Sequence, residues 1–89
     1  MNTKTWQITL AINEDGDDTH ADAVLQLDNK MELRGRGMSR RNPRDESEPR
    51  IGDELAAARA LAELAHELLG IAASDIEAKT HVPPRSLSI

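Results

Sequence analysis

Apolar and polar residues alternate through most of the first forty positions. Over residues 4–13, Trp6, Ile8, Leu10 and Ile12 fall on one face, and Thr5, Gln7, Thr9 and Ala11 on the other. Period-two alternation with β-branched residues predicts a half-buried strand. Residues 14–18, one glycine and four carboxylates, break it as a solvated turn. A second strand is predicted over 19–27, with Ala21, Ala23, Leu25 and Leu27 inward and His20, Asp22, Val24 and Gln26 outward. Asp28-Asn29-Lys30 suits a hairpin loop of about three residues. A third strand over 31–39 turns Met31, Leu33, Gly35 and Gly37 inward and Glu32, Arg34, Arg36 and Met38 outward.

The pattern then changes period. Residues 40–50 hold no apolar side chain except two prolines and read as a loop. Residues 51–69 contain no proline and, after Ile51, no β-branched residue, so they predict a helix with Asp53 and Glu54 in its first turn. Two acids there suit the positive end of the helix dipole and would repel a bound phosphate. On the wheel, Ile51, Ala58, Ala62, Ala65 and Leu69 form one line, flanked by Leu55, Leu61, Leu64 and Leu68. Ala58, Ala62 and Ala65 are therefore expected to meet the two inward glycines of the third strand, where a glycine lets another backbone come close. The apolar arc is wider than the roughly 100° stripe of one contact surface. Gly70 reads as a stop, and Ser74 with Glu77 as a capping box. A short final helix over about 75–80 would then fold back over Leu64 and Leu68, or a second copy would cover them.

The expectation is one α+β domain over residues 4–81, a three-stranded antiparallel meander packed on a C-terminal helix (β-β-β-α plus a short final helix). Residues 82–89, with two prolines, are expected to be a flexible tail. Composition sharpens this picture. Trp6 is the single aromatic among 89 residues, so the core is poor in large groups and a partner copy would add stability. There is no cysteine, hence no disulfide or thiolate metal site, and no leader-like or membrane-spanning run. A cytoplasmic location is expected.

Candidate chemistry is sparse. No serine lies in a Gly-x-Ser-x-Gly turn, and His20, His66 and His81 lack metal-ligand spacing. The acidic turn lacks the twelve-residue calcium spacing, and no phosphate loop is present. The chain is therefore read as non-catalytic, without cofactor or metal. One constellation stands out: Arg34, Arg36, Arg40, Arg41, Arg44 and Arg50 gather six of the eleven basic residues. Arg34, Arg36, Arg40 and Arg41 are the candidate partner-binding residues, able to grip carboxylates or phosphates in bidentate fashion. Alternatively, Asp22 and Gln26 satisfy Arg34 and Arg36 across strands, and Asp45, Glu46 and Glu48 offset the loop arginines. A net charge of −5 works against a polyanion.

Arg41-Asn42-Pro43, residues 51–61, Asp75-Ile76-Glu77 and Thr80-His81 together resemble a family of small actinobacterial proteins designated only as a domain of unknown function. The resemblance spans about residues 6–83. It implies a fold like the double-stranded-RNA-binding domain, a three-stranded antiparallel sheet with helices on one face, and no known activity. The chain departs from that domain in starting with a strand and in placing Gly52, Asp53 and Glu54 where the domain carries phosphate-gripping lysines. The function read from the sequence is protein association, most simply as a homo-oligomer. Nucleic-acid binding through residues 34–50 is the alternative.

Overall fold

In the computed structural model, which describes residues 1–81 except Pro43, Asp45 and Ser47, the alternating segments become β1 (Ile8–Asp15), β2 (Asp18–Gln26) and β3 (Glu32–Arg40). They form one antiparallel sheet in the order β1-β2-β3. The expected tail, 82–89, lies outside the described residues.

Two turns set the register. The first is tighter than the sequence suggested. Asp15 pairs with Asp18, so Gly16 and Asp17 alone make the turn and Glu14, Asp15 and Asp18 belong to strands. Gly16 has φ 61°, as a twist-matched two-residue hairpin requires of a glycine at its first central position. The second is the expected three-residue loop. Lys30 N–H donates to Leu27 O at 3.0 Å, Met31 N–H donates to Asn29 Oδ1 at 3.0 Å, and Lys30 takes the left-handed conformation at φ 70°. This register places Ile8 beside Leu25, Leu10 beside Ala23 and Ile12 beside Ala21. Across the other ladder, Ala23 meets Gly35 and Ala21 meets Gly37. The first ladder starts at Ile8, so Trp6 precedes the sheet rather than sitting within it.

One helix, α1 (Pro49–Thr80), covers the inner face. It starts two residues earlier than expected, which moves Asp53 and Glu54 out of its first turn. It also does not stop at Gly70. The helix runs unbroken through Gly70 and Ser74, so the expected separate helix over 75–80 is part of α1 and, among the described residues, nothing folds back over Leu64 and Leu68. A helical glycine costs only about 1 kcal/mol relative to alanine, less than ending a helix whose next residues are good formers. The end comes at His81, left-handed at φ 59°, whose N–H bonds Glu77 O at 2.7 Å.

The core is Ala21, Ala23, Leu25 and Leu33 from the sheet with Ala56, Ala60 and Leu64 from α1. The inner alanines are thus Ala56 and Ala60, while Ala58 and Ala62 are exposed. The close approach itself is as expected. A methyl group on Gly35 would meet Ala60 O and Leu64 N, and one on Gly37 would meet Ala56 O and Ala60 N. The glycines let the helix backbone rest on the strand. Thr19 and Ser39, a buried cross-strand pair, continue this line toward the helix start, where Ser39 Oγ donates to Gly52 O at 2.8 Å.

Candidate functional site

The side chains on the outer face of the sheet form an exposed polar ladder. All four candidate arginines lie on β3 or just after it, and each meets a carboxylate. Arg34 Nη2 lies 2.9 Å from Glu32 on its own strand, and Arg36 Nε lies 3.3 Å from Asp22, its direct cross-strand neighbour. Arg40 faces Asp18 across the ladder and grips it with two bonds, Nε to Oδ1 at 2.7 Å and Nη2 to Oδ2 at 3.2 Å. The hydrogen bonds from the Arg40 guanidinium hold the Asp18 carboxyl below the usual aspartate range, and that carboxylate in turn raises Arg40. Arg41 donates from Nε and Nη2 to Asp17 Oδ1 at 3.0 and 2.7 Å, and its N–H bonds Asp17 O. Beyond these four, Arg50 lies 3.8 Å from Glu54 on the helix. The acidic turn, which looked unattached in the sequence, is therefore the counter-charge of the basic segment. The signal was there to read: a two-residue turn after Asp15 sets Asp17 and Asp18 opposite residues 40 and 41.

The histidines do not converge. His20 projects from the outer sheet face, His66 lies on the exposed side of α1, and His81 caps its end. Among the described residues, no group of three or more His, Asp or Glu stands close enough to hold a metal ion. No helix of the described residues is long and apolar enough to cross a membrane.

The inner face carries a second surface that sequence reasoning had assigned to the core. α1 lies over β3 and β2 and scarcely reaches β1. Ile8 and Ile12, on the same face as the core, consequently stay 48% and 40% exposed, and Leu10 between them is half-buried. On α1, Arg59 reaches the outer edge of β3 and donates to Met38 O at 2.7 Å. Leu61 lies about 200° further round the helix, on the flank toward β1, and is 40% exposed. The strip continues at one end into an open groove of about 440 Å³ between Trp6 and Leu27 on one side and Leu68, Ile71 and Ala72 on the other. Trp6 is held there by Asp28, which accepts from its Nε1 at 3.3 Å and from Lys4 Nζ at 2.6 Å. Those two bonds keep the Asp28 carboxyl below the usual range.

The chain is similar to a group of mycobacterial proteins. A family model described as Rv2632c-like matches residues 4–85. The uncharacterized protein Rv2632c of Mycobacterium tuberculosis is 45% identical over 84 residues, covering 94% of this chain and 89% of the relative. The uncharacterized protein Mb1767 of Mycobacterium bovis is 45% identical over 82 residues, covering 92% of this chain and 86% of the relative. The crystal structure of Rv2632c superposes with a TM-score of 0.85 at 44% identity, over 93% of this chain and 98% of that one.

Proposed function

The chain belongs to the Rv2632c-like family, and we propose that it acts as a non-catalytic interaction module that associates with itself. One observation carries this reading: Ile8 and Ile12 lie on the core face of the sheet, yet α1 leaves them in water. Contiguous apolar surface on a small domain marks an association site. The unbroken course of α1 adds support, because no segment among the described residues returns to cover that flank.

Nucleic-acid binding through residues 34–50 has less behind it. A phosphate would have to displace the carboxylates already held by Arg34, Arg36, Arg40 and Arg41, against a net charge of −5. Likeness to an RNA-binding fold is an argument about architecture, not about a site.

The test is the mass of the protein in solution, by light scattering coupled to size exclusion from about 1 to 100 μM, the range in which weak self-association is populated. A whole multiple of the chain mass is the expected result. A single-chain mass at the highest concentration would end the self-association reading.

A further inference from the structure

The proposed self-association has a geometry written into β1. Natural sheets blunt their edges with charge, proline or a covering element. β3 follows that rule: it carries Glu32, Arg34, Arg36 and Arg40, lies under α1, and has Arg59 on its Met38 carbonyl. β1 does not. The run Thr5-Trp6-Gln7-Ile8-Thr9-Leu10-Ala11-Ile12-Asn13 has neither charge nor proline. Among the described residues, no side chain bonds to the backbone of β1 along its open edge.

We infer that β1 pairs antiparallel with β1 of a second copy, about a twofold axis at Leu10, joining two three-stranded sheets into one of six strands. This rests on the self-association reading above. A second copy is singled out because the strand complements itself. With Leu10 opposite Leu10 of the mate, Ile8 faces Ile12 and Ile12 faces Ile8, so the three inward apolar side chains of β1 all meet one another. A shift of two residues one way sets Leu10 against Ile12 and leaves Ile8 facing Glu14; a shift the other way sets Leu10 against Ile8 and pairs Ile12 with Trp6, which lies before the strand. The charges agree with the same register. Glu14 and Asp15 fall opposite Trp6 and Thr5 of the mate, with no carboxylate facing a carboxylate, and Lys4 comes beside the mate's acidic turn around Gly16. Because the axis stands perpendicular to the sheet, both helices lie on one face, and the paired strips form the floor between them.

The absence of cysteine allows a direct test. Three single variants, Leu10→Cys, Ile8→Cys and Ile12→Cys, are oxidised with copper phenanthroline, and the mass of the unaltered protein is measured in parallel. Directly opposed cross-strand Cβ atoms lie about 5 Å apart, near disulfide reach. Leu10→Cys is expected to form a covalent dimer. Ile8→Cys and Ile12→Cys, each about 13 Å from its own counterpart in the mate, are expected to stay single alone and to cross-link when mixed. The mixed pair also decides the matter if Leu10→Cys folds poorly. A multimeric mass without this cross-linking pattern overturns the β1 pairing and leaves self-association standing. A single-chain mass for the unaltered protein overturns both.

Discussion

Gly35 lies directly under Leu64: a methyl group on the glycine would stand 2.9 Å from the Leu64 Cα. At that distance the helix backbone must move, and because α1 rests on Gly35 and Gly37 together, moving it opens the core. Gly35→Ala is expected to cost about 3 kcal/mol, the upper range for overpacking, out of the 5–15 kcal/mol typical of a folded domain. Gly70→Ala should do the reverse. Nothing lies within 4 Å of a methyl group there, and replacing a glycine inside a helix contributes about 1 kcal/mol. Denaturant midpoints of the two variants check both signs; equal shifts in one direction would contradict the glycine seat.

A second stability test concerns the helix start. Ser39 is buried and its hydroxyl donates to Gly52 O at 2.8 Å, tying the end of β3 to the beginning of α1. Ser39→Ala is expected to lower stability by about 1 kcal/mol. Hydrogen exchange should show the loss concentrated in the first turns of α1, and protection unchanged there would contradict the tie.

The inner faces of β2 and β3 were legible from alternation alone, because Ala21, Ala23, Leu25, Leu33, Gly35 and Gly37 all recur at every second position. The phase of the helix was not. Alanine occupies 56, 57, 58, 60, 62 and 65, so small residues stand on both sides of the wheel, and only the glycine seat selects Ala56 and Ala60. Ser74 could be read as a cap because its side chain has that capacity wherever a helix begins; no local signal revealed that the preceding helix simply continues. The Arg36–Asp22 pair followed from strand facing. The Asp17 and Asp18 partners of Arg41 and Arg40 did not, because the four carboxylates flanking Gly16 read as a free turn. The exposure of β1 depends on where the helix axis lies across the sheet, a quantity that no single strand's pattern encodes.

Acid should be reported by the single tryptophan. Asp28 bonds Lys4 and Trp6, and its folded pKa lies below the ordinary value of 3.8. A carboxyl depressed by folding contributes stability above its unfolded pKa and loses it as pH falls through the folded one. Trp6 emission is therefore expected to change on acidification with a midpoint below pH 3.8. Asp28→Asn should abolish that step. A midpoint above 3.8 would contradict the contact. The Asp18–Arg40 pair has the same sign, so its contribution is also lost only in that acidic window.

Charge reversal separates the two surfaces. Arg34 and Arg36 make exposed ion pairs on the outer face, and such pairs contribute only about 0–1 kcal/mol each. The Arg34→Glu, Arg36→Glu double variant is expected to remain folded by circular dichroism and to keep the solution mass of the parent protein. Loss of a multimeric mass with the fold intact would instead place the association surface on the arginine ladder.

The order of elements along the chain has a consequence for how the protein is made. Each strand pairs with the strand next to it in sequence, so the sheet assembles from local hairpins, as in fast-folding topologies. Yet Ala56, Ala60 and Leu64, which close the core, come after all three strands. On the ribosome, the meander emerges first with Ala21, Ala23, Leu25 and Leu33 uncovered. It waits for the last third of the chain before it can become a stable domain. A stalled or truncated product ending before α1 would be a bare sheet with two open edges, a substrate for proteases and chaperones rather than a smaller version of the fold.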